Sequence, residues 1–466
     1  MNVEGSLPET NVPKRLTALR LADSKELREL IGASMLILTA SVVEEPGLTG
    51  KEKELVLSRA HLSMPLAFAQ LEEKNSRLPV VDVGRYLLTD AWQKMSFVGE
   101  QGRRVARSLL LRKGHELMAP ILRQGLPLEE YLRAETEAII EAVISGVPAK
   151  PIVTFHYAVG NLAADFLSRN HRSDIPVIHY VTDPYVHPNY LKYKNLPFVY
   201  YFTFDEATRV SLIKQGVPPE RVFCTGFPLA KELEVNIDLA NLETKKQEYN
   251  YFLGGRKKLR VGVFTGGLGG NQEEILTIAK NLDYRFQQGV FYCGTNADLK
   301  EKLVRELKRK GIAYRIHDVN ESLTVKKDDQ AVIIFGENLT SLLPLSYQAL
   351  NWSQVVCSKP SGDIGIESLM AGKLFVALAN WGRHEARIRE ILEETGAVIP
   401  IKNLSKIGTE LFDYHRHKDL VGQIERLLTK LNQEPPFPYN WRERVKEALA
   451  KILPSPTNSL NSPFPV

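Results

Sequence analysis

The chain has 466 residues, 44% of them hydrophobic and 25% charged, with 60 Lys and Arg against 55 Asp and Glu. This composition excludes a wholly disordered, collagen-like or disulfide-scaffold protein, and the length predicts two or three domains that each bury a core. The formal net charge of +5 is too weak to indicate nucleic acid as a partner, although it suits an anionic membrane surface or a phosphorylated substrate.

Short apolar runs alternate with amphipathic stretches between a polar N-terminal extension, residues 1–25, and a disordered proline-rich tail, residues 454–466. The runs lack alternation of polar and apolar residues, which is typical of parallel strands covered on both faces. In chain order, strands are predicted at 34–40, 78–83, 151–155, 176–181, 198–204, 221–224, 259–265, 289–293, 313–316, 331–335, 354–357 and 374–378. Helices are predicted between many of them, so the expected fold class is α/β with doubly wound layers.

A polar segment at 241–258 interrupts the alternation and ends in Gly-Gly-Arg-Lys-Lys. It separates a predicted first α/β domain at 26–250 from a second at 256–432, which a C-terminal helix at 433–453 follows. Two such halves predict a ligand cleft between them.

The sequence also indicates a cellular setting. The three cysteines form no CxxC pair, so neither a zinc site nor a disulfide framework is indicated, and a reducing compartment, the cytoplasm, is expected. The longest apolar run, 31–43, is shorter than the about 18–20 residues of a membrane-spanning helix and is predicted to be a buried strand. A basic stretch at 103–113 suits a helix on an anionic membrane surface, with an ordinary core-facing helix as the alternative.

A glycine-rich turn follows the predicted strand at 259–265. It contains Gly266, Gly267, Gly269 and Gly270, and a helix is predicted directly after it. Glycines let a ligand approach the backbone closely, and the free N–H groups at a helix start suit a phosphate. The spacing matches neither the dinucleotide fingerprint nor the P-loop, and a tight turn without ligand is the alternative.

Two further turns follow predicted strands of the second half. One contains Ser361 and Gly362, with Glu367 one turn into the next helix, where a carboxylate can accept two hydroxyls of a sugar or ribose. The alternative is that Glu367 faces solvent and is favoured there by the helix dipole. The other turn contains His384 and Glu385, for which a polar loop is the alternative. Open α/β sheets bind ligands at these carboxyl ends of strands.

In the first half, His156, Asp183 and His187 also follow predicted strands. A histidine and an aspartate in a cleft are candidates for a general base with its orienting partner, whereas a lone loop histidine is more often structural. No ligand spacing demands a metal ion.

Five blocks of sequence carry a family resemblance: residues 181–190, which begin Val-Thr-Asp-Pro, the aromatic strand 200–204, residues 216–228, which begin Gly-Val-Pro-Pro, the glycine turn 266–270, and residues 358–373. Together they resemble the monogalactosyldiacylglycerol synthase-like glycosyltransferases, relatives of the peptidoglycan N-acetylglucosaminyltransferase. The resemblance covers about residues 150–400. It implies a GT-B fold, in which two Rossmann-like doubly wound domains face each other across a cleft.

The resemblance also implies an activity, an inverting transfer of a sugar from a nucleotide diphosphate to a lipid or lipid-linked acceptor at the membrane surface. The donor would be a UDP-sugar used as co-substrate, and no permanently bound cofactor is implied. By position, the glycines at 266–270 would hold the diphosphate with help from Ser361 and Gly362. Glu367 would bind the ribose, and His384 and Glu385 would contact the donor sugar.

Two positions bear on the mechanism that the resemblance implies. Lys359 stands where retaining enzymes of this fold carry a second carboxylate, which argues for inversion. The family's glycine pair and histidine after the first strand are absent at residues 41–50. The remaining base candidates are Glu44, Glu45, His156 and Asp183, or the chain is a nucleotide-sugar-binding homologue without catalysis. A sugar-nucleotide epimerase is the third alternative, although no paired acid–His–Arg set is evident.

Overall fold

The computed structural model describes residues 33–40, 42–44, 54–56, 59–71, 78–83, 128–144, 150–234, 258–266, 271–380, 383–417 and 420–453. The predictions for both tails, for the basic stretch at 103–113, for the domain boundary near residue 255 and for four candidate residues lie outside these ranges. The four residues are Glu45, Gly267, Gly269 and Gly270.

The first half is built on a six-stranded parallel sheet in the order β4-β1-β5-β6-β7-β8. Its strands are β1 (Leu36–Thr39), β4 (Val80–Asp82), β5 (Ile152–Thr154), β6 (Val177–Tyr180), β7 (Val199–Thr203) and β8 (Val222–Cys224). A short antiparallel pair, β2 (Val42–Glu44) and β3 (Glu54–Val56), lies between β1 and β4 in the chain, with Glu44 opposite Glu54.

The second half contains another six-stranded parallel sheet, in the order β11-β12-β10-β9-β13-β14. Its strands are β9 (Leu259–Phe264), β10 (Gln287–Tyr292), β11 (Tyr314–His317), β12 (Ala331–Ile334), β13 (Val355–Ser358) and β14 (Leu374–Ala377). All four residues of β12 are buried, because helices cover both faces of the sheet.

Helices pack against both sheets. Those of the first half are α1 (Ala60–Phe68), α2 (Leu128–Ile144), α3 (Tyr157–Arg169), α4 (Glu206–Lys214) and α5 (Lys231–Glu234). The later ones are α6 (Gln272–Asn281), α7 (Ala297–Arg309), α8 (Leu339–Trp352), α9 (Ile364–Met370), α10 (Arg383–Glu394), α11 (Ile407–His417), α12 (Leu420–Gln433) and α13 (Trp441–Ile452).

Helix α7 shows why such segments form where they do. Leu299, Leu303 and Leu307 recur every four residues on its buried side, while most of its other residues are charged. The Asn296 side chain accepts a hydrogen bond of 3.0 Å from the Leu299 amide and so caps the first turn.

The twelve predicted strands are confirmed, each within a few residues of its expected bounds. Two Rossmann-like parallel sheets whose strand ends meet across the middle of the molecule constitute the predicted GT-B fold. The antiparallel pair β2–β3 was not predicted.

The C-terminal helix α13 returns to the first half. The Trp441 ring stacks on Phe68 of α1 with ring centroids 6.0 Å apart. Arg444 donates a hydrogen bond of 3.2 Å to the carbonyl of Cys224 at the end of β8. Gly226 has a φ of +89°, and a Cβ there would lie 2.4 Å from the Pro438 carbonyl oxygen, so only glycine permits this approach.

Candidate functional site

Each sheet has a topological switch point, the place where the chain's successive strands depart to opposite sides. In the first sheet it lies between β1 and β5, and in the second between β9 and β13. Open α/β sheets bind ligands in the crevice at the carboxyl ends of these strands. The candidate site is therefore the region where the two sets of strand ends meet.

His61, a residue that the sequence did not single out, lies at the first switch point. It stands in the first turn of α1, and its carbonyl accepts a hydrogen bond from the Thr39 hydroxyl at the end of β1. Its ring centroid is 4.8 Å from that of His156, which follows β5. Its buried Nδ1 has no hydrogen-bond partner among the described residues.

Burial lowers the pKa of His61 from its usual value, and the nearby carboxylate of Asp183 offsets part of this effect. The imidazole is therefore neutral at pH 7 and able to accept a proton. His61 follows β1 in the fold, but β2 and β3 intervene between them in the chain. The sequence signal available was a histidine opening the first apolar helical run after β1.

His156 and His187 cap helices. The His156 Nδ1 accepts a hydrogen bond of 3.2 Å from the Ala158 amide at the start of α3. The His187 Nδ1 accepts one of 3.3 Å from the Asn189 amide at a short 3₁₀ turn. Burial holds the pKa of His156 well below its usual range. These are structural roles, and the catalytic roles proposed for both residues stay predictions.

Asp183 brings the first half into contact with the second. A Cβ on Gly362, in the turn after β13, would lie 2.9 Å from the Asp183 Oδ1 and 3.2 Å from the Thr182 carbonyl oxygen. The two predicted site residues therefore meet across the halves, and Gly362 allows that approach because it has no side chain.

An ion cluster spans the same boundary. Arg59, which immediately precedes α1, places its Nη1 3.2 Å from the Asp363 Oδ2 and 2.9 Å from the Glu367 Oε2. Its Nη2 donates a hydrogen bond of 2.7 Å to the Ser346 hydroxyl of α8. The alternative that Glu367 faces solvent is wrong, since the residue is only 3% exposed.

The charges of this cluster follow from burial and pairing. Burial acts to lower the pKa of Arg59, but Glu367 and Asp363 more than offset it. Burial raises the pKa of Glu367, with Arg59 opposing it. Asp363 is buried too, but Arg59 and the hydrogen bond donated by the Ser361 hydroxyl lower its pKa below the usual range. Arg59 and Asp363 therefore form the firmly charged pair.

Lys359 and Glu385 form a second ion pair beside the glycine turn. The Lys359 Nζ lies 2.5 Å from the Glu385 Oε1, and Glu385 is 2% exposed. The His384 Nε2 lies 3.8 Å from the same oxygen, on a side chain that is far more exposed. A Cβ on Gly266 would lie 2.1 Å from the Lys359 Cε, so glycine at this position makes room for the lysine.

Gly266 is the described residue of the predicted diphosphate turn. Its amide donates a hydrogen bond of 3.1 Å to the Asn271 Oδ1, which ties the end of β9 to the start of α6. Glu44, the first base candidate, lies in β2, and its side chain is outside the described part.

Over the described ranges, no group of three His, Cys, Asp or Glu side chains is arranged to hold a metal ion. Within the same ranges, no helix has the length and apolar character needed to cross a membrane.

No family model and no curated protein matches this sequence. Among solved structures, the UDP-GlcNAc 2-epimerase from Neisseria meningitidis bound to UDP-GlcNAc is 14% identical over 69% of this chain and 82% of its own, with a TM-score of 0.45. The S. aureus MnaA–UDP co-structure is 14% identical over 89% and 95%, with a TM-score of 0.47. Anabaena Alr3699/HepE in complex with UDP-glucose is 14% identical over 70% and 84%, with a TM-score of 0.40.

Likeness at this level says nothing about chemistry, so the class of protein rests on the molecule itself. The chain is a two-domain protein of the GT-B fold whose candidate ligand site lies where the switch points of its two sheets meet. The site brings together a neutral imidazole, carboxylates from both halves, the buried guanidinium of Arg59 and the half-buried ammonium of Lys359.

Proposed function

We propose that this protein is a glycosyltransferase that binds a nucleotide-diphosphate sugar, a UDP-sugar, between its two halves and transfers the sugar with inversion to a hydroxyl acceptor. The observation that carries the proposal is the meeting of the two switch points. His61 and His156 come from the first, Asp183 follows the neighbouring strand β6, and Gly362 and Glu367 come from the second.

His61 is the proposed general base. In the tautomer protonated at Nδ1, its Nε2 lone pair accepts the proton of the acceptor hydroxyl as that oxygen bonds to the anomeric carbon. The bond between the anomeric carbon and the β-phosphate oxygen breaks at the same time, and its electron pair leaves with the diphosphate. Asp183, which raises the pKa of His61, would stabilise the imidazolium that forms.

Lys359 is the proposed partner of the leaving diphosphate. It lies against Gly266, where the glycine turn begins, and burial together with Glu385 keeps it in place. Burial acts to lower its pKa, but the nearby Glu385 carboxylate more than offsets this, so the pKa lies above its usual value and the ammonium remains charged. A fixed cation beside the departing charge stabilises the transition state more than the ground state. The glycines at 266–270, Ser361, His384 and Glu385 are proposed to complete the donor site.

Calorimetric titration with UDP and a donor screen with released UDP as readout test the proposal together. Binding of UDP and release from one sugar nucleotide in the presence of an acceptor are expected. No binding of any nucleotide diphosphate at millimolar concentration would refute the proposal.

The role of His61 has its own test. The His61→Ala variant is expected to lower kcat by about 10²–10⁴-fold while leaving the Kd for UDP within about twofold of wild type. His171→Asn is a matched control, because that exposed histidine has a φ of 55°, which asparagine tolerates. If His61→Ala retains full kcat while Glu44→Ala, His156→Ala or Asp183→Ala abolishes it, the base lies elsewhere.

A lipid or lipid-linked acceptor and kinship with the monogalactosyldiacylglycerol synthase-like enzymes are finer proposals. They rest on the sequence blocks described above and on the basic stretch at 103–113. We expect the protein to float with anionic liposomes at low salt and to dissociate as salt is added. If the protein does not float with the liposomes at low salt, the membrane part of the proposal is refuted.

Two rival functions remain testable. A nucleotide-sugar-binding homologue without catalysis would bind UDP and release none from any donor. An epimerase is the other rival, since Asp183 lies near His61, and Arg59 stands two residues before His61 in the chain. Incubation of the donor in D₂O without acceptor separates an epimerase from a transferase, because an epimerase that removes and replaces a ring proton introduces deuterium into the sugar ring.

A further inference from the structure

Arg59 joins the two halves through a buried contact. Its guanidinium is 5% exposed, and the carboxylates of Asp363 and Glu367 are 8% and 4% exposed. Three hydrogen bonds from one side chain reach α8, α9 and the residue that precedes α9. The guanidinium carbon also lies 5.8 Å from the Tyr347 ring centroid. We call Arg59 with Asp363, Glu367 and Ser346 the Arg59 latch.

We propose that the Arg59 latch regulates access of the nucleotide to the candidate site, because Arg59 is hydrogen-bonded to the Glu367 carboxylate that the ribose hydroxyls would bind. In this state the two halves are held together, and binding of the donor displaces Arg59 from Glu367. The inference rests on the proposed function, in which Glu367 accepts the ribose hydroxyls.

Accessibility supports the latch. A ribose must reach the Glu367 carboxylate within hydrogen-bond distance, but this carboxylate is 4% exposed and already accepts a bond from Arg59. The contact of Asp183 with Gly362 closes the same boundary nearby. Separation of the halves at this point is therefore the condition for ribose entry.

The energetics make such a contact reversible. The Coulomb attraction within a buried ion pair is largely cancelled by the desolvation of its members, so the net stabilisation is small. The incoming nucleotide replaces Arg59 at this carboxylate, since its ribose hydroxyls donate hydrogen bonds to Glu367. A modest binding free energy is then enough to shift the balance between the two states.

The experiment compares UDP binding to wild type and Arg59→Met by calorimetry. Removal of Arg59 leaves two buried carboxylates without their cation, which opposes the closed state. The variant is expected to bind UDP about tenfold more tightly, equal to about 1.4 kcal/mol. Arg172→Met is the matched control, because Arg172 pairs with Asp174 on the surface of the first half. This control variant is expected to bind UDP with the affinity of wild type.

Two milder variants guard against misfolding of Arg59→Met. Ser346→Ala removes the hydrogen bond to the Arg59 Nη2 and leaves both carboxylates in place. Arg59→Lys keeps the charge but loses the forked geometry that reaches two acceptors at once. Both are expected to tighten UDP binding by less than Arg59→Met does.

A distance measurement reads the latch without any ligand. Fluorescent labels at Ser173→Cys and Lys308→Cys, exposed sites in the first and second halves, report the separation of the halves in a Cys224→Ser background. Arg59→Met is expected to broaden the distance distribution towards larger values, and UDP is expected to do the same in wild type.

The outcomes separate the two proposals. Equal or weaker UDP binding by Arg59→Met, with wild type binding normally, overturns the latch and leaves the glycosyltransferase proposal standing. Unchanged label distances in Arg59→Met also overturn the latch. If neither wild type nor Arg59→Met binds a nucleotide diphosphate, the proposed function fails, and the latch in its nucleotide-regulating form fails with it.

Discussion

His179 is a buried histidine in the middle of β6, with no exposed surface. Its Nδ1 lies 3.5 Å from the Thr154 hydroxyl, and its ring stacks on Tyr201. Burial lowers its pKa to about 3, far below the usual 6.5. The folded protein therefore keeps this ring neutral under conditions in which the unfolded chain protonates it.

The sign of the resulting pH dependence follows from linkage. Because the folded pKa is depressed, His179 contributes stability above pH 6.5, and this is lost as the pH falls towards 3. Between pH 7 and 5 the loss from His179 alone is about 2 kcal/mol of unfolding free energy. Urea unfolding at both pH values is expected to show a smaller fall for His179→Phe than for wild type. Equal falls would contradict this prediction.

Gly160 in α3 shows a conflict between helix propensity and packing. Glycine to alanine within a helix usually stabilises by about 0.5–1 kcal/mol. A Cβ on Gly160, however, would lie 2.3 Å from the His179 Cε1 and 2.5 Å from the Thr154 hydroxyl oxygen. We expect Gly160→Ala to cost about 1–3 kcal/mol, because the buried imidazole has no space to move. Chemical denaturation in a His179→Ala background is the control, and a cost of Gly160→Ala that stays the same there would show that the imidazole is not its cause.

At the scale of elements, the cap of α7 is a local determinant of stability. The Asn296 Oδ1 accepts a hydrogen bond from the Leu299 amide, which has no partner within the helix because it lies in the first turn. Asn296→Ala is expected to lower the free energy of unfolding by about 1 kcal/mol in urea. Asn320→Ala, in an exposed loop where its side chain bonds Asp318, is expected to change it by less than about 0.5 kcal/mol.

Among the features of the molecule, the secondary-structure elements were predicted best from the sequence. Buried parallel strands are continuous apolar runs, so β9 and β12 are visible without any knowledge of their neighbours. The position of Glu367 after a strand end also pointed to the site. His61 was missed because β2 and β3 separate it from β1, and the pairing of Arg59 with Glu367 spans 308 residues, which no local pattern encodes.

At the scale of the whole molecule, the two halves depend on each other through the C-terminal helix. Trp441 is 1% exposed and packs on Phe68, so the core of the first half includes α13 from the far end of the described chain. Arg59 provides the second connection, at the candidate site itself. If either half were expressed alone, it would expose surface that is buried in the whole protein.

Trp441→Ala tests this dependence. Loss of a buried tryptophan is expected to cost about 3–5 kcal/mol. Hydrogen exchange should show lost protection in α1 of the first half as well as in α13, because the two pack together. Val210→Ala, at an exposed position of α4, should leave both helices protected. Loosening confined to α13 would contradict the shared core.

The return of α13 to Phe68 also affects how the chain matures during its synthesis. Phe68 leaves the ribosome roughly 370 residues before Trp441, and at about 5–20 residues per second this interval lasts roughly 20–75 s. Throughout that time the apolar surface around Phe68 lacks its native cover. The nascent first half therefore presents an apolar binding surface for chaperones until α13 emerges.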